Sequence, residues 1–235
     1  MKIYIYPVIV VLLFICTNLC LPSIKAQNGN PGDILKKINE TTYLLNDIEI
    51  KTDDRTVSFP CKVNMETGLI EVVVCTPKGK THESLLVTEV SPLEFQTAIM
   101  LLGLDPVNEI PDDASLADPL SPYKSIETTG DSVLIFIETE TNGKTIRKRV
   151  EDYIWDESKG RASDHSTWLF RGAVTHQSGH VIIDPETTMI ATYHDPLAIM
   201  ELNTESKYDD ELYYVNDNMK LKNGQVVKLI IQALN

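Results

Sequence analysis

Positive charge is scarce in this chain. Lys plus Arg number 21 against 34 Asp plus Glu, a formal net charge of −13 over 235 residues. A field of that sign repels phosphate backbones and anionic headgroups, which excludes nucleic acid as the expected partner. Glycine is also sparse, at 11 residues, and no fixed-period repeat or low-complexity tract is present, so a collagen is excluded. Long apolar runs are missing beyond one stretch, Val8 to Cys16. That is far short of the roughly 20 residues a spanning helix needs, which excludes a multi-pass membrane protein. At 43% apolar and 23% charged residues, the composition that remains is that of an ordinary globular protein, not a disordered tail.

The N-terminus carries Lys2 and then no charge until Lys25, around the apolar run VIVVLLFIC. This pattern predicts an export signal over residues 1–26, cleaved after Ala26, and a polar spacer over 27–33. A lipid anchor is the alternative product, although Leu19 before Cys20 and Ile15 before Cys16 match that route poorly. Loss of Lys2 and Lys25 takes the net charge from −13 to −15. The expected location is periplasmic or extracellular, with no membrane span in the mature chain. Four cysteines become two, Cys61 and Cys75, and an even pair in an oxidising compartment predicts one disulfide between them. Two cysteines cannot hold a four-Cys iron–sulfur or zinc site, and no cofactor is expected.

The rest, 34–235, reads as one globular domain. Ile34 to Asn46 reads as a short helix or loop. The β-rich runs VSFPCKV and LIEVVVC, separated by Met65-Glu66-Thr67-Gly68, predict a hairpin across which the disulfide would lie. Pro92 to Leu102 is the clearest helix, with Ser91 as N-cap, Glu94 completing a capping box and Gly103 ending it. The Pro- and Asp-rich run from Asp105 to Pro122 predicts a loop. Asn142-Gly143 predicts a second hairpin in which partner numbers sum to 285, so Glu138 meets Arg147. Further β-runs lie at Ser166 to Val174, Thr187 to Tyr193, Leu212 to Val215 and Val226 to Ile231. The fold class expected from these elements is α+β, a β-rich domain of antiparallel hairpins with one buried helix.

The compact polar motif is Lys80-Thr81-His82-Glu83-Ser84. Were Thr81 to Thr88 extended, His82 and Ser84 would share a face opposite Glu83, which does not build a Ser-His-acid relay. His-Glu here also lacks the second His of a helical zinc-protease motif, and Gly79-Lys80-Thr81 lacks the first Gly of a phosphate loop. A structural His82, tying down a neighbouring loop, predicts that His82→Ala costs about 1 to 3 kcal/mol. His176 and His180 sit in a Gly-bearing surface loop, so no metal site is expected there. His194-Asp195-Pro196 reads as a turn that starts a helix over Leu197 to Leu202. Trp168 and Phe170 share one strand face, with Arg171 beside them.

Several of these features occur together: C-x13-C from Cys61 to Cys75, G-K-x-H-E-S with Leu-Leu from Gly79 to Leu86, the Pro92-led helix ending at Leu104, W-x-x-R-G from Trp168 to Gly172, and A-x-x-x-D-P from Ala191 to Pro196. The combination resembles the YdjY-like domain family of exported and lipid-anchored bacterial proteins, over roughly Ser58 to Leu202. The resemblance implies that His82 and Glu83 matter together with Trp168 and Arg171, and implies no particular reaction. The expected function is therefore an exported, non-catalytic binding or envelope-associated module, whose partner is a protein or small-molecule ligand. The alternative is a hydrolase-like or metal-assisted enzyme centred on His82. Lys80, His82, Glu83, Ser84, Trp168 and Arg171 form the candidate site.

Overall fold

A computed structural model describes residues 34–113, 129–141 and 143–234. The expected export segment, the spacer, Asn142 and residues 114–122 of the expected loop lie outside the described residues.

Among the described residues seventeen strands follow in chain order: β1 (Leu35–Lys37), β2 (Thr42–Leu45), β3 (Ile48–Lys51), β4 (Thr56–Val63), β5 (Val72–Cys75), β6 (Ser84–Val87), β7 (Glu109–Ile110), β8 (Asp131–Thr141) and β9 (Lys144–Arg149). They continue with β10 (Ile154–Asp156), β11 (Arg161–Ala162), β12 (Trp168–Phe170), β13 (Thr175–His176), β14 (Ile190–Ala191), β15 (Met200–Leu202), β16 (Tyr213–Val215) and β17 (Val226–Ala233). Among the described residues one α-helix element, α1 (Pro92–Met100), lies between β6 and β7.

The sheet path β4-β17-β8-β12-β15-β14-β5-β6 closes on itself, because β6 also pairs with β4 through Lys62–Val87 and Val63–Leu86. The result is a closed eight-stranded barrel. Closure leaves its strands no free edge, and at eight strands the interior is narrow enough for side chains to fill it. Phe59, Ile135, Ile137, Trp168, Phe170 and Leu229 belong to one buried apolar cluster. The period-2 alternation of β17 shows why: Val227, Leu229 and Ile231 are buried while Val226 and Lys228 are exposed.

This architecture corrects the expected α+β class. Among the described residues the helix is a single nine-residue element, not a layer, and the strands form a closed β-barrel. Nor is the barrel made only of antiparallel hairpins, since β14 pairs with β15 and β5 with β6 in parallel. The β-rich reading and the helix itself hold. Ser91 and Glu94 form the capping box, Gly103 has φ +84°, and Phe95, Ile99 and Leu102 are buried. Phe95 meets the Phe59 ring edge-on at 5.7 Å, which packs the helix onto the barrel core. The Asn142-Gly143 reading also holds: β8 and β9 pair with Glu138 opposite Arg147, at 2.9 Å between carboxylate and guanidinium. Ile146 on β9 is exposed.

Three local expectations fail. The stretch 34–46 contains β1 and β2, an antiparallel pair, and the segment after Pro196 leads into β15 rather than a helix. The hairpin of the two cysteine-bearing runs is also absent, because β6 lies between β4 and β5. Val87 of β6 pairs with Cys75 on one side and Lys62 on the other. Two ladder steps of about 4.8 Å separate the cysteine strands by roughly 9 to 10 Å. A disulfide tolerates a Cα separation of only about 7 Å. Cys61 and Cys75 are accordingly free and buried, which corrects the expected disulfide. Burial pushes both thiols up. The physical reason for the misreading is β5 itself, VVVC, which is buried at all four positions. A strand covered on both faces belongs inside a sheet, between two neighbours, rather than in a lone hairpin. Thiol labelling of denatured, unreduced protein, mapped by peptide, is expected to modify both Cys61 and Cys75; protection of both would contradict this strand order.

Candidate functional site

Residues Thr81–Glu83 form a single 3-10 turn rather than an extended strand. In such a turn residues three apart stack on one side, so Lys80 and Glu83 face each other and His82 is turned away. Lys80 Nζ lies 3.5 Å from Glu83 Oε1, 3.5 Å from Glu71 Oε2 and 4.0 Å from Asp195 Oδ2, and donates to the Tyr193 hydroxyl at 2.9 Å. The ammonium also sits 5.3 Å from the centre of the Tyr193 ring. Burial opposes the charge on Lys80, but the Tyr193 hydroxyl, Asp195 and Glu83 outweigh it and hold the ammonium above its ordinary range. Burial and the adjacent Glu83 push the Glu71 carboxyl up, against the pull of Lys80.

Three separate chain segments thus meet at one ammonium. Glu71 precedes β5, Lys80 and Glu83 flank the turn into β6, and Tyr193 and Asp195 follow β14. A cleft of about 400 Å³ opens beside them, lined by Lys80, Asp195, Asp184, Thr188, Ile182 and Leu197 among others. A larger groove of about 510 Å³ runs over the outer side of β4 and β17, past Glu49, Pro60, Glu138 and Lys228, and contains none of the expected site residues.

The remaining expected residues do not converge on this cleft. The His82 side chain is 80% exposed, with Nε2 at 3.5 Å from Glu83 Oε2. Ser84 is fully buried and donates its hydroxyl to the Leu86 carbonyl at 2.8 Å. His82 and Ser84 therefore share no face. The expectation that His82 ties down a loop is corrected by its exposure. His82→Ala should leave stability within about 0.5 kcal/mol of the parent. A thermal melt checks this, and a large drop in midpoint would contradict it.

Trp168 and Arg171 are locked into the architecture. The Trp168 indole donates to Glu151 Oε1 at 3.1 Å inside the protein. Arg149 grips the same carboxylate with two bonds, Nε to Oε2 at 3.1 Å and Nη2 to Oε1 at 2.5 Å. Arg171, 2% exposed, donates from Nη1 to Glu201 Oε2 at 3.0 Å, with longer contacts to the Asp195 carbonyl and Asn108 Oδ1, both 3.4 Å. His194 Nδ1 shares that same Glu201 oxygen at 3.0 Å. Gly172 follows at φ +76°, where a Cβ would stand 2.3 Å from the Pro106 Cβ. The W-x-x-R-G motif thus joins β12 to Glu151 at its start and to Glu201 and the 106–108 segment at its end.

Sequence reasoning missed Glu71, Tyr193, Asp195, Glu201 and His194 as site members. The one available signal was a lone Glu201 between Met200 and Leu202, matched by a lone Arg171 after Leu169-Phe170. Buried charges of that kind must find partners. His176 and His180 stack at 6.0 Å between ring centres, with His176 Nδ1 against the Pro111 carbonyl. Among the described residues no three His, Cys, Asp or Glu side chains form a metal-ligand group. No described helix is long and apolar enough to cross a membrane.

Fold and cleft together define an all-β barrel module with a half-buried acid–lysine cluster on its outer wall. The chain belongs to the YdjY domain family, whose model matches residues 48–232. No curated protein and no solved structure matches it significantly.

Proposed function

We propose that this YdjY domain protein is an exported, non-catalytic binding or envelope-associated module that takes its ligand at the cleft beside Lys80. The observation that carries the reading is the dispersal of the polar motif. The Ser84 hydroxyl is buried and committed to a backbone carbonyl, and His82 stands in solvent, so nucleophile and base are not within reach of each other. Trp168 and Arg171 are held by carboxylates inside the wall, away from solvent. Export is supported by the leader pattern at residues 1–26, and the mature chain is expected to begin at Gln27.

A thermal-shift screen of small amines, acids and sugars tests the reading. A bound ligand should raise the midpoint of the parent and of His82→Ala alike, and lose that effect in Leu197→Arg, which fills the mouth of the cleft. Turnover of any hydrolase substrate that His82→Ala abolishes would overturn it in favour of the enzyme.

A further inference from the structure

The run His176-Gln177-Ser178-Gly179-His180 is a tight hairpin turn with a histidine at the end of each arm. The His176 N–H donates to the His180 carbonyl at 2.9 Å, and the next pair outward, Thr175 and Val181, is bridged antiparallel. Gly179 closes the loop at φ +86°, its N–H on the His176 carbonyl at 2.7 Å. Residues directly opposite on antiparallel arms project from one face, with Cβ atoms about 4.5–5.5 Å apart. The two imidazoles accordingly stack, with ring centres 6.0 Å apart and planes 30° from parallel. The Gly-bearing turn that spoke against a metal in the sequence is what aligns the pair.

The end of β7 and the residues after it anchor this turn. The Gln177 N–H donates to the Ile110 carbonyl at 3.0 Å, the Ser178 N–H to Asp112 Oδ1 at 2.8 Å, and His176 Nδ1 lies 3.2 Å from the Pro111 carbonyl. A carbonyl only accepts, so Nδ1 carries the proton and the neutral ring keeps its lone pair on Nε2. An imidazole held by a backbone carbonyl through one nitrogen, with the other left as a donor of its lone pair, is the arrangement of metal-ligating histidines.

We propose that His176 and His180 form a binding site for a first-row divalent transition metal, Cu²⁺ most tightly, with Ni²⁺ and Zn²⁺ behind it. Imidazole nitrogen suits these ions, whereas Ca²⁺ and Mg²⁺ take oxygen ligands. Bonds of about 2.0–2.1 Å to one metal set the two coordinating nitrogens roughly 3–4 Å apart. Rings at 6.0 Å reach that spacing when the exposed His180 side chain turns toward the half-buried His176. Among the described residues no third His, Cys, Asp or Glu completes the set, so water fills the remaining positions and the site is an open one. The Asp112 carboxylate at the turn and the net charge of −13 favour the approach of a cation. Neither histidine lines the cleft beside Lys80, and the site does not depend on the ligand proposed there.

Calorimetric titration of the purified protein with Ni²⁺ tests the site, beside His176→Gln, His180→Gln, the double variant and His82→Gln. The parent should take up one Ni²⁺ per chain. Each single variant at the turn should bind more weakly by at least about 10–100-fold, the cost of losing only an outer partner of a ligand. His82→Gln should bind as the parent does, and excess Ca²⁺ should not compete. In imidazole-nitrogen NMR, Zn²⁺ should shift His176 and His180 ahead of the other histidines. No saturable Ni²⁺ binding by the parent, binding that survives in the double variant, binding lost in His82→Gln, or displacement by Ca²⁺ would each overturn the proposal.

Discussion

Glu201→Ala should destabilise the protein by about 3–5 kcal/mol, the cost of leaving a buried charge without its partner. Glu201 is fully buried on β15, and one of its oxygens accepts from both Arg171 and His194 at 3.0 Å. With the carboxylate gone, Arg171 at 2% exposure retains only two contacts of 3.4 Å, to Asn108 and the Asp195 carbonyl. Neither carries a full charge, so the guanidinium is left in low dielectric unneutralised. Urea unfolding of the purified variant measures the loss. A Glu201→Gln variant should recover part of it, because the amide oxygen still accepts one hydrogen bond.

Glu151→Ala is expected to be comparably damaging, again about 3–5 kcal/mol, through a different set of contacts. Glu151 is fully buried and accepts from both Arg149 nitrogens, the Trp168 indole and the Ser166 N–H. One carboxylate thus fixes the end of β9, the start of β12 and the segment between. Its removal strands Arg149, whose side chain is 15% exposed and stacks against Phe136 at 5.6 Å. It also leaves the fully buried Trp168 indole N–H unpaired. Near-ultraviolet circular dichroism should lose the Trp168 signal before far-ultraviolet signal falls, if the barrel survives. An unchanged unfolding midpoint would contradict the assignment.

The parts of the fold legible in the sequence are those written by local rules. The capping box at Ser91 and Glu94 fixed where the helix starts, and Asn142-Gly143 set the pairing register of β8 and β9. Barrel closure was not legible, because it depends on β6 returning to β4 across a separation that no local signal records. The same non-local step undid the Cys61–Cys75 pairing. Nearest neighbours in a β-rich chain are a fair first expectation, but VVVC, apolar at every position, already departs from the alternation of a half-exposed hairpin strand.

The candidate site divides along the same line. Lys80 and Glu83 belong together because a tight turn stacks positions three apart, whereas the extended reading assigned Glu83 to the opposite face from His82 and Ser84. Glu71 and Asp195 join them only through the sheet, since β5 pairs with β6 on one side and β14 on the other. Trp168 and Arg171 fall in one short motif, and each is bound to a buried carboxylate, Glu151 and Glu201 respectively. The G-K-x-H-E-S motif likewise splits: Ser84 secures β6 from within, Glu83 secures the cluster, and His82 stands exposed with Nε2 3.5 Å from Glu83.

The central claim is that the polar motifs of this YdjY domain protein hold the barrel and its outer wall together and do not assemble a catalytic pair at His82. Equilibrium urea unfolding of Arg171→Met and His82→Ala beside the parent tests it most directly. The account predicts that Arg171→Met loses about 3 kcal/mol or more, with Glu201 and its ring partner His194 left around an uncharged side chain. It predicts that His82→Ala stays within about 0.5 kcal/mol of the parent. An Arg171→Met variant as stable as the parent, beside a His82→Ala variant that unfolds early, would contradict it.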